Sequence, residues 1–363
     1  MQTAKSRAGH HSSHWSFPQF VIWSFPILRY TARVTALPHL TPHEAAAALA
    51  AQRQPFHAGY YAFYSNALGG IVTTPGLMVV PADDHLVHRG DGVFETLKCV
   101  DGGVYLWREH VRRLLHSAKA IGLSVPWNEA QLADITAQVV RAGAHRDCLV
   151  RIIVSRGPGS LGINPYDCPA PGLYVMAHEL KPSFMEAHPE GARVITSAIP
   201  VKAGFFATIK SCNYLPNALI KKEAADAGAD FALAYDEQGH LAEGATENFG
   251  IVDAAGRLRV PGAERILSGT TMNRALELAA ALVKDGLLSS IARGPIACDE
   301  VRAAREVLVF GTTPDVTSVV SLDGLPVSGG VPGPVGRALL ALVQRDIREN
   351  SAVRFDAFKG ERT

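Results

Sequence analysis

Two domains of mixed α+β architecture are expected from this chain, and three observations carry that expectation. At 363 residues it is well beyond the roughly 100–150 residues of a common single domain. Short runs rich in β-branched residues alternate with segments whose apolar residues recur at helical spacing. Leu180-Lys181-Pro182-Ser183 through His188-Pro189-Glu190-Gly191 has the composition of a connection between folded units. The expected division is an N-terminal extension at 1–55, a smaller α+β domain at 56–179, a linker at 180–191 and a larger domain at 192–363.

In the smaller domain, Gly69-Gly70-Ile71-Val72 opens a strand region and Gly92 to Val100 forms another. Trp107 to Leu123 places Val111, Leu114, Leu115, Ala118 and Ile121 at helical spacing. Cys148 to Ser155 and Gly172 to Met176 read as strands on either side of a Gly/Pro-rich loop, Gly157 to Pro171. In the larger domain Arg193 to Ile199 is a strand, and Pro216 falls in the first turn of a helix from Leu215 to Ala227, where its missing N–H does no harm. Phe231 to Tyr235, Phe249 to Val252 and Leu258 to Val260 follow as antiparallel strands, turning at Gln238-Gly239 and Ala255-Gly256. Thr270 to Lys284 is an apolar-faced helix closed by Gly286. Strands at Val307 to Phe310 and Thr317 to Leu322 lead to a hairpin at Asp323-Gly324, and Arg337 to Ile347 makes the last helix.

Lys+Arg 35 against Asp+Glu 34 leaves a net charge of +1, too little field to hold a nucleic acid or an anionic membrane. Small-molecule partners become the default. Cys99, Cys148, Cys168, Cys212 and Cys298 are scattered and odd in number, which suits a reducing compartment such as the cytoplasm better than a disulfide framework. The first acidic residue is Glu44, whereas Lys5, Arg7, Arg29 and Arg33 precede it among several Ser and His. Such a segment is either a disordered tail, the simpler reading, or an organellar targeting peptide. The apolar run Phe20 to Leu28 is interrupted by Pro26 and falls short of the roughly 20 residues that span a bilayer.

The residues that point to chemistry begin with Lys210. The apolar run Phe205-Phe206-Ala207-Thr208-Ile209 precedes it and a turn feeding a helix follows. An amine held there is partly desolvated, which favours the neutral nucleophile needed to condense with a carbonyl. Glu243 and Glu247 lie among small and polar residues between strands, and spacing does not separate them. A lysine at such a turn and a carboxylate in the following sheet are the pair that a pyridoxal phosphate enzyme needs, one to carry the cofactor and one to keep its ring nitrogen protonated. Ser268-Gly269-Thr270-Thr271 opens directly into a helix, so its amides and hydroxyls offer an anion site or, more plainly, an N-cap. Gly311-Thr312-Thr313 is a second cluster of amides and hydroxyls, and Arg112 and Arg113 flank the apolar face of their helix.

Two motifs argue for other chemistry and fail. Gly157-Pro158-Gly159-Ser160-Leu161-Gly162 matches a dinucleotide fingerprint, but Pro165 and Pro169 forbid the helix it must open, which weakens a nicotinamide oxidoreductase. Asp83-Asp84-His85-Leu86-Val87-His88 has metal-ligand residue types, but in a strand or loop its histidines do not converge and no distant cluster completes a site, so no metal is expected.

Taken in order, these pieces resemble the class IV pyridoxal phosphate enzymes, which include branched-chain aminotransferases, D-amino acid aminotransferases and aminodeoxychorismate lyases. The resemblance spans about 63–347 and rests on His88-Arg89-Gly90-Asp91-Gly92-Val93-Phe94-Glu95-Thr96, Glu109-His110-Val111-Arg112-Arg113-Leu114, Lys210-Ser211-Cys212-Asn213-Tyr214, Glu243-Gly244-Ala245-Thr246-Glu247-Asn248, Leu267-Ser268-Gly269-Thr270-Thr271 and Gly311-Thr312-Thr313. The wording is closest to the plant-type D-amino acid aminotransferases, through Asp83 to Gly90 and Ile209 to Asn217.

The resemblance implies a fold-type IV architecture, with a small α/β sandwich and a larger domain built on an antiparallel, barrel-like sheet flanked by helices. It implies that Lys210 is the Schiff-base lysine of pyridoxal 5'-phosphate and that Glu243, not Glu247, meets the ring nitrogen. Arg113 and the amides or hydroxyls of Gly269, Thr270, Thr271 and Thr312 would hold the phosphate, and Tyr214 would lie near the phenolic oxygen. The implied reaction is ping-pong transfer of an amino group between an amino acid, of D configuration first, and a 2-oxo acid, by a homodimer. Branched-chain L-amino acid transfer and aminodeoxychorismate cleavage to 4-aminobenzoate are the alternatives, and a non-catalytic binding protein on the same scaffold is the rival from another class. The carboxylate-binding pairs of relatives are incomplete: Leu161 and Ile163 replace one, and Leu149 breaks the other although Arg151 remains. Arg89, Lys98, Arg151 and Thr313 are therefore the candidates for the substrate carboxylate.

Overall fold

The computed structural model describes residues 36–359, so the expectations placed on residues 1–35 lie outside them. Within the expected N-terminal extension, Pro42–Ala51 forms a helix, α1. Its start is fixed by a capping box: the Thr41 hydroxyl accepts from Glu44 N–H at 3.3 Å, and the Glu44 carboxylate accepts from Thr41 N–H at 2.8 Å.

The smaller domain is an antiparallel sheet of β1 (Tyr60–Ser65), β2 (Gly70–Val72), β3 (Gly92–Val100), β4 (Gly103–Tyr105), β5 (Cys148–Ser155) and β6 (Gly172–His178). Between β2 and β3 lies α2 (His85–Arg89), where strand or loop is expected; Asp84 caps Leu86 N–H at 2.9 Å and Gly90, at φ 62°, ends the helix. Two longer helices, α3 (Trp107–Ala120) and α4 (Glu129–Ala142), pack Val111, Leu114, Leu132 and Val140 onto Leu97, Val150 and Val175 of the sheet. Each such side chain contributes about 1.5–3 kcal/mol when fully buried. The periodicity reading passes over α4, although Asn128 and Gln131 cap it reciprocally at 2.9 Å.

After α5 (Phe184–Ala187), the larger domain is built from β7 (Ala192–Thr196), α6 (Leu215–Asp226), β8 (Phe231–Tyr235), β9 (Leu241–Gly244), β10 (Asn248–Val252), β11 (Arg257–Val260), α7 (Thr270–Lys284), β12 (Ser290–Arg293), α8 (Cys298–Arg302), β13 (Glu306–Gly311), β14 (Asp315–Leu322), β15 (Leu325–Pro326) and α9 (Pro334–Glu349). The strand path runs β12-β11-β10-β13-β14-β7-β8-β9, and β9 pairs back onto β10 through Glu243 and Asn248, closing a barrel. The expected antiparallel barrel is in fact mixed. β7 runs parallel to β8 and to β14, and β11 runs parallel to β12. The helices α6 and α7 supply the crossovers that parallel neighbours β7–β8 and β11–β12 require. Finally β16 (Arg354–Asp356) crosses back to pair with β4, so the last described strand joins the first sheet.

β3 of the first sheet, the β13–β14 turn of the second and the start of α7 line one cavity. Residues 210–212 are stitched to β3, with Phe94 N–H donating to Lys210 C=O at 3.0 Å and Cys212 N–H to Gly92 C=O at 2.8 Å. A segment of the larger domain, between β7 and α6, is thereby clamped to the smaller one.

Candidate active site

Lys210 is held by its backbone before its amine does anything. Its N–H donates to Ser117 Oγ of α3 at 3.1 Å, adding a helix contact to the β3 stitching. The residue is 8% exposed, and its Nζ lies 3.0 Å from Tyr214 Oη and 4.5 Å from the Phe94 ring centre. Burial, and then the Arg113 charge, pull its pKa down to about 8, against the opposing pull of Glu95 and Glu243. No carboxylate is within ion-pair distance of this amine among the described residues. It is a lysine with an accessible neutral form.

Burial separates the two acids that spacing leaves equivalent. Glu243, on β9, is buried and accepts Leu267 N–H at 3.1 Å. Burial raises its pKa, opposed by that hydrogen bond and by the charges of Lys202 and Lys210. Glu247 is half-buried and turned onto its neighbour, accepting Thr246 N–H at 2.9 Å and the Thr246 hydroxyl.

An anion cradle forms at the start of α7. The helix begins at Gly269 with no side-chain cap, so the first-turn amides remain available beside a cavity that Gly269, Thr270, Thr271 and Thr312 line. A Cβ at position 269 would collide with Asn248 Oδ1, which explains the glycine. The segment before the helix is strapped from three sides: Leu267 N–H to Glu243, Asn248 Nδ2 to Leu267 C=O at 2.9 Å, and Arg113 Nη1 to Ser268 C=O at 3.0 Å.

Arg113 is presented by a network that sequence reading assigns no role. Glu95 of β3, fully buried, accepts from Arg113 Nε and Nη2, both at 2.7 Å, and from His110 Nδ1 at 2.6 Å. Burial alone would raise the Glu95 pKa, but Arg113 and His110 pull it down to about 2. The same burial lowers His110, so the ring is neutral, and a carboxylate can only accept, which puts its proton on Nδ1. His110 Nε2 must then accept from the Thr270 hydroxyl at 3.2 Å. The Thr270 proton is committed there, leaving its amide, and the amide and hydroxyl of Thr271, to face an anion. The signal was present in the sequence: His110 and Arg113 are three apart on one helix face, and Glu95 follows the strand alternation.

The carboxylate candidates divide. Arg151 and Thr313 line the cavity, and the Arg151 side chain makes no hydrogen bond or ion pair among the described residues, with its guanidinium 5.7 Å from the Phe94 ring centre. Arg89 and Lys98 do not line it. Arg89 donates to Leu161 C=O, and Lys98 is ion-paired with Asp315. Lys202, absent from the sequence reading, lies 5.0 Å from the Tyr214 ring centre, its pKa lowered by burial against the pull of Glu243. The residues weighed as metal ligands have structural partners: Asp84 accepts from Ser155 Oγ at 2.7 Å and Tyr174 Oη at 2.6 Å, and His85 Nε2 meets Ser160 C=O at 2.9 Å.

A buried low-pKa lysine, a buried acid and an arginine beside a helix start can carry an aldehyde cofactor with a phosphate tail. The Amino-transferase class IV family profile matches residues 92–322. A chloroplastic D-amino-acid transaminase of Arabidopsis thaliana is 36% identical over 290 residues, covering 80% of this chain and 77% of the relative. A putative branched-chain-amino-acid aminotransferase of Methanocaldococcus jannaschii is 30% identical over 259 residues, covering 70% and 87%. Among solved structures, a branched-chain amino acid aminotransferase of T.th. with pyridoxamine 5'-phosphate superposes with a TM-score of 0.74 at 27% identity, covering 82% of this chain and 99% of the other. The same enzyme complexed with N-(5'-phosphopyridoxyl)-L-glutamate gives 0.73 at 28% identity, with the same coverage. This chain therefore belongs to the class IV aminotransferase family and is a transaminase.

Proposed function

We propose that the chain binds pyridoxal 5'-phosphate in this cavity and moves an amino group between a D-amino acid and a 2-oxo acid by a ping-pong route. The observation that carries the reading is the placement of Lys210 Nζ, partly deprotonated at neutral pH, in a cavity shared with Arg113, Tyr214 and the start of α7. When bound, the cofactor supplies an aldehyde that takes up the amino group and a ring that draws electrons from the α-carbon.

In this reading Lys210 carries the cofactor at rest. Displaced by substrate, its free amine would take the proton from the α-carbon and deliver it to the former aldehyde carbon of the cofactor, on the far side of the nitrogen. Glu243 holds the proton on the ring nitrogen, and Tyr214 Oη stands beside the amine, 3.0 Å away, to orient it. Arg113, locked by Glu95, holds the phosphate with the Thr271 hydroxyl and the amides of Gly269, Thr270, Thr271 and Thr312. Arg151 and the Thr312–Thr313 turn receive the substrate carboxylate.

The preference for D-amino acids is supported by the likeness to the Arabidopsis enzyme; the branched-chain solved structures favour L-leucine as the second reading. Purified enzyme assayed with D-alanine, L-leucine and aminodeoxychorismate separates the possibilities. Turnover of D-alanine is expected, and activity confined to L-leucine overturns the ranking. The working unit in this reading is a homodimer in the cytoplasm or an organelle. Sedimentation and cell fractionation test those two points, and no helix of the described residues is long and apolar enough to cross a membrane.

A further inference from the structure

Phe94, Thr96 and Lys98 alternate along β3 and project from one face of the sheet. Phe94 and Thr96 line the cavity. Lys98, next in the row, reaches across from the first domain to Asp315 of the second. Asp315 closes the turn between β13 and β14, in register with Gly311, and the residues it encloses, Thr312, Thr313 and Pro314, all line the cavity. Its φ of 55° is a left-handed conformation that surrounding contacts must hold. Lys98 and Asp315 are 6% and 4% exposed, so water screens their attraction poorly. Thr317 Oγ donates to Pro314 C=O at 3.0 Å and props the same turn from behind.

We propose that Lys98 is a positioning residue. Its ammonium, anchored on β3, holds Asp315 and so fixes the Thr312–Pro314 turn over the cavity, setting how tightly the anionic groups of cofactor and substrate are gripped. The inference rests on the reading of the cavity given above. Lys98 touches neither ligand, so its loss acts on binding more than on the proton transfer carried out by Lys210.

The test uses the holoenzyme and its Lys98→Met, Lys98→Arg and Asp315→Glu variants. If the wild-type enzyme takes up no pyridoxal phosphate, the underlying reading fails before any variant matters. With an active wild type, Lys98→Met is expected to raise the donor KM and the cofactor Kd by about tenfold or more while kcat falls less than about threefold, as for a misplaced binding element. Amide exchange at Thr312, Thr313 and Asp315 should quicken, and Lys98→Arg should restore most of the loss. A Lys98→Met enzyme with lowered Tm but wild-type KM and cofactor affinity overturns the proposal. Should that variant not fold, Asp315→Glu keeps both charges and lengthens the strut by one methylene. KM should then rise several-fold in the folded variant, and an unchanged KM overturns the proposal equally.

Discussion

Lys98 and Lys210 are buried to nearly the same degree, 6% and 8% exposed, and both approach the seam between the domains. One is locked to a carboxylate and the other is not. Lys98 meets Asp315 directly. Lys210 has a phenol at 3.0 Å, an aromatic face and the Arg113 charge nearby, with Glu95 already committed to Arg113 and Glu243 to Leu267. Burial by itself does not make a nucleophile; burial without an adjacent counter-charge does, because only then is desolvation of the ammonium left uncompensated and the neutral amine brought within reach at neutral pH. The same desolvation yields a strut in one place and a reactive group in the other.

The contrast is most exposed to test at Lys210. Lys210→Ala should lower turnover by more than about 10⁴-fold and abolish the visible absorbance of lysine-bound cofactor. An active variant removes the assignment. Next comes Glu243→Gln, which cannot hold a charge on the ring nitrogen and should cost about 10²–10³-fold in kcat, as loss of one preorganised electrostatic partner does.

Stability should separate the two lysines in sign. Lys98→Met leaves Asp315 buried and unpaired, a loss of about 3 kcal/mol in denaturant unfolding, limited because burial already favours its protonated form. Lys210→Met removes a desolvated amine that has no ion-pair partner among the described residues, so the cofactor-free protein should become more stable at neutral pH. The pH dependence follows from the same asymmetry. Between about 8 and the ordinary 10.5 the unfolded chain holds a proton on Lys210 that the folded chain has released. Stability of the cofactor-free protein should therefore rise with pH across that window, by roughly 3 kcal/mol, and the rise should vanish in Lys210→Met. Glu95 runs the other way: its folded pKa of about 2 lies below the ordinary 4.5, so its contribution is complete above 4.5 and is lost as pH falls toward 2. Glu95→Gln should remove that acid-side loss. The smallest effect belongs to Glu247→Gln, whose carboxylate hydrogen-bonds only to the neighbouring threonine among the described residues. Its kcat should stay within about twofold of wild type, and stability within about 0.5 kcal/mol.

The amine, its apolar approach, the helix that starts at Thr270 and most of the strands were legible in the residues alone, because these depend on short-range patterns: periodicity, turn residues and caps. The capping boxes of α1 and α4 were there too, local signals left unused where apolar periodicity was weak. Everything else waited on long-range packing. Folding buried Glu243 and left Glu247 half-exposed, turned two strand pairings parallel through helical crossovers and a third, β7 with β14, by the closure of the barrel, and sent β16 back to the first sheet. It likewise assembled Glu95, His110 and Thr270 behind Arg113, and moved Lys98 from a ligand candidate to a partner of Asp315, 217 residues away. Charge partners so far apart along the chain leave no trace in spacing, since desolvation and Coulomb attraction depend on distance in space, which the folded chain alone establishes.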